Sequence, residues 1–532
     1  MSNSLEQKNS RKGIIIGLVI LVLIILSSLV IFKIKSNKDN SNSDNNNTHE
    51  EEVKKENKYS KYELNSNTLE DFDLYFLQLE NDKSNKVYSP LSIKYVLGML
   101  SDASLDDTKQ EIDNILGKYQ ARKYTNTSNM ALGNAMFIRN SYQDKIKSSY
   151  VNTLKSKYNA EVIYDEFKNT KTINNWLNKS TNGLIKEISD EVSDKDFILV
   201  NSVAIDMEWI KKLQSIDDDY SITYSHEDYW KGIGSLRSSD YTKLKFNNYK
   251  DVTASEIGAV INKYDIVKTL GSDNIRKRVM DDYNKWVQNG GSDTFEMCGT
   301  KDDLSDEDKL DIDKYLEELD SNYKDISGST DFSFYQDENV TAFSKDLKKY
   351  NGITLEYVGI MPNQVSLDEY IKETDASKIN SILNNLKDIS LENFKEGVIT
   401  EISGYIPMFK FDYKLNLKKD LSTIGITSVF DSNKASLGNL TTDKVYINDV
   451  SHQANIEFSN DGIKASAATV AGGAGAGSCG YDYQFNVPVE KIDLTFDKPY
   501  MFMIRNKDTK EVWFMGTVYE PSSYASGLKE LE

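Results

Sequence analysis

Cysteine and histidine are both scarce in this chain of 532 residues, which contains two cysteines and three histidines. Cys298 and Cys479 allow at most one bridge, so a fold built on a disulfide framework is excluded. His49, His226 and His452 are far apart in the sequence, which argues against a histidine metal cluster and against a Ser/His/Asp hydrolase. We therefore expect no metal, no cofactor and no enzymatic activity.

Basic residues are also fewer than acidic residues. The chain has 64 Lys and Arg residues against 83 Asp and Glu residues, which gives a net charge of −19. An acidic protein of this kind is a poor partner for nucleic acid, so no nucleic-acid partner is expected. The length is ample for a sizeable hydrophobic core.

Charged residues are absent from residues 13–32, a run of apolar and small residues that is long enough to cross a bilayer as a helix. No small-residue cleavage site follows it, so we predict an uncleaved signal anchor at 13–33 and a short cytoplasmic tail at 1–12. Residues 34–64 are almost devoid of apolar side chains, which predicts a disordered polar tether. The expected location is therefore the cell membrane, with a single pass and the folded domain on the extracellular side.

Bulky apolar side chains are missing from one internal stretch, because none lies between Val470 and Tyr481. Composition alone favours a flexible linker. Strand-like runs follow at 492–496, 500–504 and 512–518, however, and the last two are separated by a hairpin signal. We therefore expect a long loop that is held at both ends by β-sheet.

The residues before this stretch alternate in a way that suits an inserted strand. Taken at every second position, they are small after Ile463, which is what a strand needs in order to enter between two existing strands over a packed core: Ala465, Ala467, Thr469, Ala471 and Gly473. The turn signal Asn460-Asp461-Gly462 followed by Ala465-Ser466-Ala467-Ala468-Thr469 resembles the reactive-centre loop of the serpins, whose cleaved loop becomes a new strand of the main sheet.

Other segments resemble the same family, in the same order along the chain. They are the Ser-Pro-x-Ser-Ile segment at 89–93, an amphipathic helix at 173–177, an apolar strand at 197–205, the segment 409–431 and a C-terminal hairpin at 497–516. The resemblance assigns control of sheet opening to five residues: Ser89, Ser92, Asn201, Trp209 and His452. Taken singly, Ser89 and Ser92 are better explained as helix caps, Trp209 as a core residue and His452 as a buried histidine with satisfied hydrogen bonds.

The resemblance implies an α+β serpin fold over residues 65–527, with a large central mixed β-sheet, further sheets, surrounding helices and an exposed reactive-centre loop at about 460–489. The expected hinge of that loop consists of Gly462, Ile463, Ala465, Ala467, Ala468 and Thr469. Two features depart from the family pattern. Ile463 is larger than the usual hinge residue, and Lys464 stands where an acidic residue is common.

A charged insertion is expected at about 222–328, with helical patterns at 255–270 and 274–287. Its acidic residues suggest calcium at first sight: Asp302, Asp303, Asp306, Asp311 and Asp313. The glycine and the ligand spacing of an EF-hand loop are missing, so a solvated acidic face is the favoured interpretation.

The function implied by the resemblance is that of a bacterial, membrane-anchored serpin, a monomer that inhibits an extracellular serine protease as a suicide substrate. A count of about fifteen inserted residues from Gly462 places the attacked bond at Ala476-Gly477, which favours an elastase-like or subtilisin-like target. Tyr481 or Tyr483 would instead suit a chymotrypsin-like enzyme. The alternative function is a non-inhibitory serpin-fold binding protein of the cell surface, and a hydrolase ranks third.

Overall fold

The structure is a computed structural model that describes residues 58–185, 192–211, 213, 242–248, 250–288, 311–321, 324–447, 450, 452–459, 462–463, 485 and 487–521. No helix within these residues is long and apolar enough to cross a bilayer. The predicted tail, the anchor at 13–33, most of the tether and both cysteines lie outside the described residues, so these predictions stay untested.

Eleven helices are present among the described residues. They are α1 (Asp71–Leu79), α2 (Pro90–Ala103), α3 (Asp106–Leu116), α4 (Ser148–Tyr158), α5 (Lys171–Ser180), α6 (Ile266–Leu270), α7 (Ser272–Gln288), α8 (Ile312–Ser321), α9 (Leu367–Glu373), α10 (Ala376–Asn384) and α11 (Leu417–Thr423). Helix α2 is almost entirely buried and forms part of the main hydrophobic core.

The described residues also form nineteen strands. They are β1 (Lys86–Tyr88), β2 (Met130–Arg139), β3 (Glu161–Asp165), β4 (Phe197–Ile205), β5 (Met207–Glu208), β6 (Thr242–Phe246), β7 (Lys250–Asn262), β8 (Asp325–Gly328), β9 (Phe332–Gln336), β10 (Val340–Asp346), β11 (Leu355–Pro362), β12 (Lys387–Asp388), β13 (Ile399–Pro407), β14 (Phe409–Leu415), β15 (His452–Phe458), β16 (Gly462–Ile463), β17 (Val489–Asp493), β18 (Tyr500–Asn506) and β19 (Val512–Val518).

The strands form four sheets. An antiparallel seven-stranded sheet has the order β1-β19-β18-β11-β10-β9-β12, and a five-stranded sheet has the order β17-β13-β7-β6 with β8 beside β7. The remaining sheets have the orders β3-β2-β4 and β14-β15-β16-β5. Because only one residue separates β4 from β5, these two sheets are the two parts of one mixed central sheet. The α+β serpin fold expected from the sequence is therefore present.

Two of the local expectations need correction. The residues from Ser255 to Asn262 were expected to be helical, but they belong to β7, where they pair with β13 over its whole length. Ladder hydrogen bonds and burial between neighbouring strands outweigh a weak helical pattern. The predicted strand at 492–496 begins and ends earlier, as β17, while the second expected helix and the C-terminal hairpin are confirmed as α7 and as β18 with β19.

The first turn of α2 shows how the sequence positions the functional region. Pro90 occupies the first helical position, where its missing N–H is not needed. Ser89 caps the helix, because its Oγ accepts a hydrogen bond from the backbone N–H of Ser92 at 3.1 Å. The start of α2 is therefore fixed by local chemistry.

In the described part of the chain, the carboxylate of Asp420 in α11 lacks the hydrogen bonds and solvent that would stabilise a negative charge. The residue is fully buried, and neither carboxylate oxygen has a hydrogen-bond partner among the described residues. Burial, with a smaller contribution from the carboxylate of Glu80, raises the pKa of Asp420 to about 6. Glu80 itself accepts a hydrogen bond from Tyr413, and Lys86 Nζ lies 3.3 Å from the same hydroxyl group.

We predict that Asp420→Asn raises the thermal unfolding midpoint at pH 7.5 and has little effect near pH 4. The folded pKa lies above the ordinary value of 3.8, so the folded state is penalised once Asp420 ionises and loses stability as the pH rises through about 6. Thermal unfolding at several pH values measures this. Asp412→Asn, at an exposed position of β14, is the control. An equal effect of Asp420→Asn at both pH values would contradict the prediction.

Candidate functional site

The central sheet contains a gap between β4 and β15. The first two residues of the predicted hinge, Gly462 and Ile463, form β16, which closes this gap at one end and pairs antiparallel on both sides. Ile463 lies opposite Phe458 of β15 and opposite Met207 of β5, while Gly462 lies opposite Glu208. Among the described residues, β4 pairs with β2 alone. The structure therefore places the start of the loop at the mouth of an unfilled strand position.

Trp209 fixes this end of the gap. Its side chain is 1% exposed, and its Nε1 donates a hydrogen bond of 2.9 Å to the backbone oxygen of Ser459, the residue directly after β15. The indole ring packs edge-on against Phe458 and Tyr357, with ring centroids 5.5 and 6.2 Å from its own. Trp209 therefore connects the β5 edge of the gap to the end of β15.

The first turn of α2 contacts both edges of the gap at a second point. The backbone N–H of Ser89 donates to Nε2 of His452 on β15 at 2.9 Å. The hydroxyl group of Ser92 donates to Oδ1 of Asn201 on β4. We call these four residues the latch, because one helix end holds strands on either side of the gap.

The latch is electrically neutral. Burial lowers the pKa of His452 to about 4, so the imidazole is uncharged at pH 7 and Nε2 is free to accept the hydrogen bond from Ser89. Asn201 donates to Asn134 of β2 at 2.5 Å, and Asn134 donates to the backbone oxygen of Tyr158 at 2.8 Å. Hydrogen bonds between neutral groups like these can hold β4 and β15 in place and can also break to release them.

Ser89 and His452 are not arranged as the nucleophile and base of a hydrolytic centre. Ser89 reaches His452 through its backbone N–H, while its hydroxyl oxygen serves as the helix cap. Within the described residues no three His, Cys, Asp or Glu side chains are grouped so that they could hold a metal ion. Asp313, one of the acidic residues of the predicted insertion, is exposed and pairs with Arg276.

The structure brings four of the five predicted control residues together and places Trp209 at the other end of the gap, beside Gly462 and Ile463. The remaining hinge and bond residues lie outside the described part of the chain: Ala465, Ala467, Ala468, Thr469, Ala476 and Gly477. Sequence reasoning missed Asn134 and Ser459. No local pattern marks Asn134, and only the register of β2 against β4, which places it opposite Asn201, reveals its part.

The comparisons with known proteins agree with this geometry. The family model described as serpin (serine protease inhibitor) matches residues 70–218 and 325–521, well over half of the chain. Human serpin B3 is 22% identical over 497 residues, which cover 86% of this chain and 98% of that protein. A serpin-like protein of Methanosarcina acetivorans is 22% identical over 479 residues, covering 85% of this chain and 84% of that protein.

A solved structure has the same fold. The thermophilic serpin tengpin in its native state superposes with a TM-score of 0.54 at 18% identity, covering 90% of this chain and 96% of its own. At this identity the likeness concerns the fold alone, but the family match covers both edges of the gap, the latch and Trp209. The chain therefore belongs to the serpin family.

Proposed function

We propose that this protein inhibits an extracellular serine protease as a suicide substrate and is tethered to the cell membrane through residues 13–33. The single observation that carries the inhibitory part is the gap in the central sheet, with Gly462 and Ile463 already paired at its mouth. A protease that attacks the loop would form an acyl-enzyme. Insertion of the cleaved loop would then displace the protease before the ester is hydrolysed.

The register at the mouth predicts where each loop residue would lie after cleavage. When this register is continued along β15 and β4, Ala465 falls between Ile456 and Ile205, and Ala467 between Ala454 and Val203, which are all buried. Thr469 falls between His452, which is buried, and Asn201, which is partly exposed. Thr469 would therefore enter at the level of the latch. The incoming strand must separate His452 from Asn201, so the latch sets a barrier to insertion.

The same register supports the proposed length of the inserted segment. Gly473 falls level with Phe197, the first residue of β4, and Ala476 lies just beyond the end of that strand. Cleavage at Ala476-Gly477 would let the inserted strand span β4 fully. Cleavage at Tyr481 or Tyr483 would leave slack of about 15 Å or more at ~3.3 Å per residue.

The register also gives a role to Lys464, the unusual hinge residue. On the inserted strand it would lie level with Glu457 of β15 and Asp206, on the face opposite to that of Ile463. Opposite charges at neighbouring strand positions stabilise a sheet, so a lysine suits this position. Ile463 is already placed between Phe458 and Met207, which are both buried. Neither departure from the family pattern opposes insertion.

The alternative is a non-inhibitory binding protein. Human thyroxine-binding globulin, crystallised in complex with thyroxine, has the same fold, with a TM-score of 0.54 at 16% identity over 88% of this chain and 99% of its own. This architecture can thus serve in the binding of a small molecule. Loop insertion separates the two functions, because only an inhibitor requires it.

We predict that proteolytic cleavage within the loop raises the thermal unfolding midpoint well above that of the intact protein. The new strand would satisfy the open edges of β4 and β15 with ladder hydrogen bonds. Thermal unfolding before and after limited digestion with a metalloprotease, which forms no acyl-enzyme and so cannot be trapped, measures the change, and mass spectrometry confirms that only the loop was cut. An unchanged midpoint would favour the binding-protein alternative.

We predict that Ala465→Arg turns the inhibitor into a substrate. The side chain would enter between Ile456 and Ile205, where an unpaired charge costs on the order of several kcal/mol and slows insertion. The matched control is Lys464→Arg, which places the same side chain level with Asp206 and Glu457 and should leave inhibition intact. The number of inhibitor molecules consumed per protease trapped is the measurement. Equal effects of the two variants would refute the assigned register.

We predict that the C-terminal fragment of a trapped complex begins at Gly477. Gly475 and Ala476 offer no large or charged side chain, so proteases with small or shallow primary pockets should form the complex. Denaturing gels with elastase-like, subtilisin-like and chymotrypsin-like enzymes would detect it, and mass spectrometry gives the fragment. A fragment that starts at Asp482 or Gln484 would overturn the assignment of the bond.

A further inference from the structure

Helices α6, α7 and α8 lie in the part of the chain between the two segments matched by the family model. They share a buried apolar cluster, separate from the main core, with one strand residue each from β7 and β13 and with two residues from the last part of the predicted loop. The cluster contains Val260, Ile266, Ile275, Val279, Leu319, Ile399, Phe485 and Val487. We call Phe485 and Val487 the stem of the loop.

The three helices are fixed to the body of the protein where they begin. Lys263, directly after β7, is buried, and its Nζ donates to the backbone oxygens of Leu391 and Phe394 at 2.8 Å each. Its own backbone oxygen accepts a hydrogen bond from Gly397 at 2.9 Å. A stem that packs against these helices is therefore held by an anchored unit.

The strand that follows the stem is weakly buried by comparison. β17 is the outer strand of the five-stranded sheet, pairs only with β13 among the described strands, and has no buried side chain. Phe485 and Val487 are 3% and 6% exposed. Burial of apolar area, which stabilises in proportion to the area removed from water, is therefore concentrated in the stem.

The stem limits the length of chain that an uncut loop has for its return path. From Ile463 to the level of Phe197 an inserted strand would cover about 33 Å at ~3.3 Å per residue. The twelve residues from Gly473 to Phe485 would then have to lead back around the edge of the sheet, and they reach about 40 Å at most when fully extended. That reach exceeds the length of the inserted strand by only about 7 Å, so the return would leave the chain almost fully extended, and release of the stem and β17 would add slack.

We propose that helices α6–α8 clamp the stem of the loop and so prevent the uncut loop from filling the gap. The proposal rests on loop insertion as the proposed function. After cleavage the stem no longer has to be released, because the cut end of the loop enters the gap freely while the stem stays in place. The clamp thus makes insertion depend on cleavage. The energy that insertion releases is therefore kept for trapping a protease.

The test compares two variants of α7 in the full-length protein. Val279→Ala removes apolar area from the cluster, where the side chain is fully buried, and Lys277→Ala is the control at an exposed position of the same helix. Each protein is incubated uncut at raised temperature, and the rate at which it converts to a form with the uncut loop inserted is measured. The converted protein is the species that keeps its intact mass, resists subtilisin in the loop and unfolds at the midpoint of the cleaved form.

We expect Val279→Ala to convert roughly tenfold faster than the wild type, which corresponds to a barrier lowered by about 1.4 kcal/mol, and Lys277→Ala to convert at the wild-type rate. Phe485→Ala should act in the same direction as Val279→Ala. If both core variants convert no faster than the wild type although cleavage stabilises all of them, the clamp is refuted and the proposed function stands. If cleavage does not stabilise the wild-type protein, the proposed function fails and the clamp fails with it.

Discussion

The native arrangement depends on the first turn of one helix, which bridges two strands that could accept another strand between them. Ser89 binds His452 on one side and Ser92 binds Asn201 on the other. Hydrogen bonds between neutral groups contribute about 0.5–1.5 kcal/mol each. A complete new strand would add many such bonds. On the proposed mechanism, the latch therefore would not make the open sheet the most stable arrangement, and its effect would be on the rate of closure.

A latch of this kind works only if the helix that carries it cannot shift. Helix α2 is buried along almost its whole length, and Lys94 on it forms an ion pair of 2.5 Å with Asp73 of α1, both side chains being fully inaccessible to solvent. Removal of one partner from a buried pair costs about 3–5 kcal/mol, because the other charge is left uncompensated. Asp73 also accepts a hydrogen bond from the backbone N–H of Glu70, which fixes the start of α1. The two helices therefore form a rigid support for the latch.

Features that depend on neighbouring residues were predictable from the sequence, and features that depend on distant pairing were not. Ser89 and Pro90 predict the start of α2, because helix caps use local chemistry. Residues 255–262 have a helical pattern but lie in a strand, since β13, more than a hundred residues later, supplies the ladder. The contact between α7 and Phe485 spans a similar distance, and no pattern in either segment indicates it.

The composition of the loop follows from where the energy of insertion arises. An inserted strand would gain mainly backbone hydrogen bonds, because its inward positions meet side chains that already fill the space, such as Ile456 and Val203. Small residues satisfy this requirement, and larger ones would displace a packed core. Ile463 is the exception that the structure explains, since it pairs at the mouth between Phe458 and Met207 before any insertion takes place. A driving force that comes from the backbone depends little on which small residues the loop carries. On the proposed mechanism, the rate of insertion would therefore be set at two fixed points, the latch on one side and the stem on the other.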